Sequence, residues 1–102
     1  MLKLKPSCEH CDKILAADST EAMICSFECT FCRDCVDNIL ANVCPNCGGG
    51  FCSRPIRPSQ EHIAGVSLQQ YPASREKVYK PVELDKHQSL LLKLKTIEPK
   101  DR

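Results

Sequence analysis

Four close pairs of cysteines constrain this chain more than any other feature. They run Cys8-x2-Cys11-x13-Cys25-x3-Cys29-x2-Cys32-x2-Cys35-x8-Cys44-x2-Cys47, and a ninth, Cys52, follows. Two intervening residues let both sulfurs of a pair reach one metal while the backbone curls around it. "CEHC" (8–11) and "CPNC" (44–47) are knuckles of this kind. A structural zinc takes four ligands in a tetrahedron, so eight thiolates imply two Zn²⁺. All-sulfur sites favour zinc over harder cations. A disulfide framework would need an oxidising compartment. The N-terminus "MLKLKPSC" carries no apolar signal segment, and no run approaches the ~18 apolar residues of a membrane span. The expected setting is the cytoplasm, where paired cysteines read as metal ligands.

The cysteines divide the chain into residues 1–52 and 53–102. A segment of about 50 residues buries little apolar surface and needs metal, disulfides or a partner to hold a fold. Residues 1–52 carry four basic and seven acidic side chains, a net of −3; residues 53–102 carry ten and six, a net of +4. Eight thiolates and two Zn²⁺ would take the first half to −7. Duplex nucleic acid is bound through phosphate neutralisation, so that half repels it and only the tail could bind, weakly.

The four pairs can share metals sequentially or across one another, and their order alone allows both. The pattern resembles the RING finger, a two-zinc domain in which alternate pairs share an ion. Every interval fits that family; Cys29 stands where most members have histidine, Phe31 matches the aromatic before the third pair, and Pro45 matches its "C-P-x-C". The sequentially paired LIM pattern is similar but needs longer loops than Val36–Val43. The RING resemblance implies Cys8, Cys11, Cys32 and Cys35 on one zinc and Cys25, Cys29, Cys44 and Cys47 on the other. Over about the first 58 residues, "STEAMICSFECTFCRDC", "VCPNCGG" and "RPIRP" resemble a mainly bacterial cysteine-rich family, domain of unknown function 1272. That resemblance implies a RING-like zinc unit with no established activity.

The apolar residues agree with a small zinc-stabilised α+β fold. Ala22, Met23 and Ile24, with Phe27 and Phe31 beyond, suit a short hairpin. Val36, Ile39, Leu40 and Val43 fall at helical spacing and predict a helix over 33–41 packed on that hairpin. Cys52 reads as a spare thiol half-buried beside Phe51, and His10 as a surface group over the first knuckle. Residues 53–71 read as a linker that can lie along the zinc domain. "DKHQSLLLKLKTI" predicts a short helix near 85–97, with Asp85 as N-cap, Gln88 three residues on, and Pro99 as the stop. The tail leucines Leu90, Leu91 and Leu94 lack a partner of their own. They are expected to pack on residues 1–52, within the chain or across a homodimer.

Eight cysteines would saturate two ions, whereas a catalytic zinc keeps a position for water. The sequence also contains no H-E-x-x-H and no deaminase H-x-E motif. The expected function is therefore a non-enzymatic zinc module with a structural or protein-binding role. A second reading is a RING-type ubiquitin ligase that recruits a conjugating enzyme. The family's docking groove usually has an apolar residue before the second ligand, a tryptophan after the helix and a basic residue after the last ligand. Here the first and last of these are His10 and Gly48, and the chain has no tryptophan. The bacterial resemblance also implies no ubiquitin system. A third reading, a nucleic-acid-binding zinc finger, meets the charge argument above.

Overall fold

The computed structural model describes all 102 residues. Strands β1 (Ala22–Ile24) and β2 (Thr30–Cys32) pair antiparallel, with Met23 opposite Phe31. The hairpin expected from the sequence is present. A third strand, β3 (Cys52–Ser53), pairs with the other edge of β1 and gives the order β2-β1-β3. The sequence reading missed it. Two residues next to a glycine run carry no period, and their pairing is with a strand nearly thirty positions earlier.

β2 leads directly into α1 (Arg33–Cys35), which continues as a π-helical turn, Val36–Leu40. The predicted helix over 33–41 exists, but its second half is under-wound. The turn ends where Ala41 and Asn42 take left-handed conformations, at φ 50° and 59°. This extra width still places Val36 and Leu40 in the core, with Ile39 half-buried beside them. Leu15, Ala22, Met23 and Phe31 complete the cluster together with the thiols of Cys8, Cys32 and Cys35. Phe31 meets Phe51 edge-to-face at 5.5 Å and 81°. Phe27, in the β1–β2 turn, is exposed and adds nothing to this core.

The segment after β3 lies along the cysteine-rich body. Arg54 is buried, and its guanidinium donates to Lys5 O at 2.9 Å and Ala16 O at 3.0 Å. Burial lowers its pKa. Arg57 likewise donates to Leu2 O and Tyr71 O. Replacing Arg54 by Met keeps the stem but orphans two carbonyls. The expected cost is about 2 kcal/mol of stability, read from chemical unfolding of the metal-loaded chain; no change in midpoint would show that water serves those carbonyls equally well.

α2 (Leu84–Leu94) matches the predicted tail helix, with two corrections. Its N-cap residue is Glu83 rather than Asp85, and no side chain caps it; Asp85 sits in the first turn, where its charge suits the helix dipole. The helix ends at Leu94, and Pro99 opens a separate 3₁₀ turn, Pro99–Asp101. The docking expectation holds within the chain. Leu90, Leu91 and Leu94 are half-buried, and His87 is buried with Nε2 3.0 Å from Leu40 O.

Candidate metal centre

Three of the four cysteine pairs close through a backbone bond made possible by a left-handed residue. Asp12 (φ 66°) donates its amide to Cys8 O, Glu28 (φ 64°) to Cys25 O, and Gly48 (φ 78°) to Cys44 O. The amides of Phe27 and Gly49 point at the sulfurs of Cys25 and Cys47, both at 3.4 Å. At Cys25 the contact from Phe27 favours the thiolate, the form that binds metal. Asp12 and Glu28 carry this conformation without being glycine, which the spacing of the cysteines does not reveal.

The hairpin and α1 then fold the pairs across one another. Sγ atoms of Cys8, Cys11, Cys32 and Cys35 all lie within 4.8 Å of one another. Cys8 and Cys35 sulfurs are 3.8 Å apart, and those of Cys11 and Cys32 are 3.7 Å apart. A tetrahedron with Zn–S bonds of about 2.3 Å has edges of about 3.8 Å, so these separations fit a tetrathiolate ion. All nine cysteines are free thiols. Sulfurs of Cys25, Cys44 and Cys47 form the second cluster within the same limit. Cys29 does not meet that limit against all three, although its thiol interacts with those of Cys25 and Cys44. Asn46, inside the last knuckle, donates Nδ2–H to Cys29 Sγ at 3.5 Å. The grouping is thus the first pair with the third, and Cys25 of the second pair with the fourth. Both clusters can hold a metal ion.

The thiols respond to this crowding in two ways. Burial pushes Cys35 and Cys44 far up, and Cys32 and Cys29 also rise mainly through burial. At Cys11 and Cys25 burial also raises the pKa, but backbone amides and neighbouring thiols outweigh it and the net shift is downward. Four thiolates cannot ionise together without a cation among them. In the metal-free chain the raised thiols are favoured as S–H below their folded pKa, so metal must displace protons. Zinc affinity is therefore expected to rise with pH across the neutral range, with protons released on binding. Calorimetry in two buffers of different ionisation enthalpy measures that release; identical heats would contradict it.

Four residues outside the cysteine set organise the site. Glu9, inside the first knuckle, is buried; its Oε2 accepts from Thr30 N at 2.6 Å and from Lys5 Nζ at 3.2 Å. His10 is half-buried, and its Nδ1 accepts from the Val82 amide at 2.9 Å, so it is not a free surface group. His87 lies on the helical stripe 87, 90, 91, 94, a spacing that could have drawn attention to it. Arg102 donates to carbonyls, which have no sequence signature. Cys52 is exposed rather than half-buried and stands outside both clusters.

Residues 1–57 match the model of the family described as a protein of unknown function, DUF1272. The chain belongs to this family. A relative from Rhizobium meliloti (strain 1021), described as uncharacterized, is 51% identical over 81 residues, covering 79% of this chain and 89% of the relative. That alignment is longer than the family match and so takes in part of the tail. No solved structure matches the chain. No helix is long and apolar enough to cross a membrane.

Proposed function

We propose that this DUF1272 member is a two-zinc, RING-like module of the cytoplasm that acts by binding another protein and carries out no catalysis of its own. One observation carries the reading: alternate cysteine pairs supply two thiol clusters, and in the first the sulfurs stand 3.7 and 3.8 Å apart, the edge length of a zinc tetrathiolate. Thiolate sets of this kind select zinc. Cys29 serves as the fourth ligand of the second site, since a shift of that side chain toward Cys25 and Cys44 completes the tetrahedron. Four sulfurs per ion leave no position for a substrate or an activated water.

The ligase alternative is disfavoured by the tail. The surface beside His10 and Pro45, where the RING resemblance would seat a conjugating enzyme, faces Pro81, Val82 and α2 of the same chain. The tail leucines that a homodimer would use are half-buried on their own domain, which favours a different protein as partner. Nucleic acid is disfavoured by the −7 charge of the metallated half.

The test is affinity capture from the native host with three baits. These are the zinc-loaded chain, the chelated chain and the Cys25→Ser/Cys44→Ser variant. A protein retained by the first and lost from the other two is the expected result. Zinc-independent capture, or turnover of a substrate by the loaded chain, would contradict the reading.

A further inference from the structure

Residues 80–102 bond to both ends of the thiol array. The Lys80 amide donates to Glu9 O at 2.8 Å and the Val82 amide to His10 Nδ1 at 2.9 Å. Glu9 and His10 are the two residues between Cys8 and Cys11. At the other end, Arg102 donates to Gly48 O at 3.1 Å and Asn42 O at 2.9 Å, and Gly48 directly follows Cys47. α2 lies between these attachments, held by His87 on Leu40 O. Leu94 approaches so closely that a Cβ at Gly48 would stand 3.0 Å from its Cδ1; one at Gly50 would meet Pro99 Cγ at 2.9 Å. The first knuckle belongs to one cluster and the last knuckle to the other.

We propose that residues 80–102 form a releasable strap that clamps one knuckle of each cluster and sets how fast both metals leave. This rests on the reading that both clusters hold metal. A tetrathiolate site surrenders its ion when one two-cysteine arm swings out and admits a competing ligand. With so small a core, only the metal and backbone bonds restrain those arms. Here the tail is bonded to Glu9 and His10, between two ligands, and to Gly48, beside a third, so an arm cannot swing without breaking those bonds. Both arms are tied to one continuous segment in which α2, about 16 Å long, lies between the attachments, and this couples their opening.

The interface is built to let go. A groove of about 280 Å³ remains between Phe31, Pro45 and Asn46 on the body and Pro81, Val82 and Leu90 on the tail. His87 Nδ1 is buried without a partner. The Leu40 carbonyl can only accept, so Nε2–H donates to it, and that bond leaves Nδ1 unsatisfied. Unfilled volume and an unpaired polar atom weaken docking. The strap therefore opens more readily than the body it covers.

The test uses the full chain loaded with zinc and challenged by excess chelator, with release followed by a coloured indicator. Leu94→Ala/Arg102→Ala should still hold two zinc ions but lose both about tenfold faster than the parent chain. Hydrogen exchange of the same samples should show faster exchange at the Lys80 and Val82 amides. The Arg33 amide, bonded to Glu21 O at 2.8 Å, should keep its protection. If Arg33 also loses protection, the single variant Arg102→Ala replaces the pair under the same criterion. Equal release rates would overturn the strap alone, as would fast release with Lys80 still protected. A parent chain that takes up no zinc would overturn the metal reading as well.

Discussion

Removing metal from this chain is expected to unfold residues 1–53 outright. The buried cluster is small, and three of its nine members are thiols of the proposed site. Leu15, Met23, Phe31, Val36 and Leu40 cannot by themselves offset the entropy of ordering the segment. Structural zinc contributes about 10–16 kcal/mol per site in finger peptides, more than the net stability of most small domains. A strong chelator should therefore collapse the amide dispersion of the NMR spectrum, and zinc should restore it. α2 should lose protection in the same step, because His87 and Leu94 dock on the turn and knuckle that the metal holds in place. A chelated chain that keeps a dispersed spectrum would show that the fold stands on its apolar core alone.

The second large effect is the partition of the cysteines. Ser at Cys8 or Cys32 should each cost one zinc ion, and the double variant Cys8→Ser/Cys32→Ser should still retain one. Cys25→Ser/Cys44→Ser should behave the same way at the other site. Cys8→Ser/Cys25→Ser, by contrast, should lose both ions and unfold. This non-additivity follows from four ligands acting as one unit. Elemental analysis of the folded fraction distinguishes the cases. If Cys8→Ser/Cys25→Ser keeps one ion, the pairs share metals sequentially and the grouping seen here is wrong. Cys52→Ser should leave two ions in place, since Cys52 is exposed and outside both clusters.

The knuckles were legible because metal geometry demands a fixed spacing of one residue type. The hairpin and the helical turn after it were legible because Ala22–Ile24 is a short apolar run and Val36, Ile39, Leu40 and Val43 fall at helical spacing. The π-helical width of Val36–Leu40 was not, since its apolar spacing resembles that of an α-helix. β3 is too short to show a period. The tail's attachments were hidden for another reason. Lys80, Val82 and Arg102 bind through backbone amides and carbonyls, or to them, and those groups are the same at every residue. Arg54 looks like one more charge in a basic tail, and only the fold shows it buried on two carbonyls. Cys29 follows the spacing rule, yet its sulfur stands slightly apart from its cluster, a point that spacing does not resolve.

The central claim is that alternate cysteine pairs share a metal. Substituting both ions with cadmium-113 and correlating each resonance with cysteine β-protons tests it directly. Two cadmium signals are expected, in the shift range of tetrathiolate sites. One should correlate with Cys8, Cys11, Cys32 and Cys35, and the other with Cys25, Cys29, Cys44 and Cys47. A cadmium correlated with Cys8, Cys11, Cys25 and Cys29 would contradict the account, as would a single bound ion.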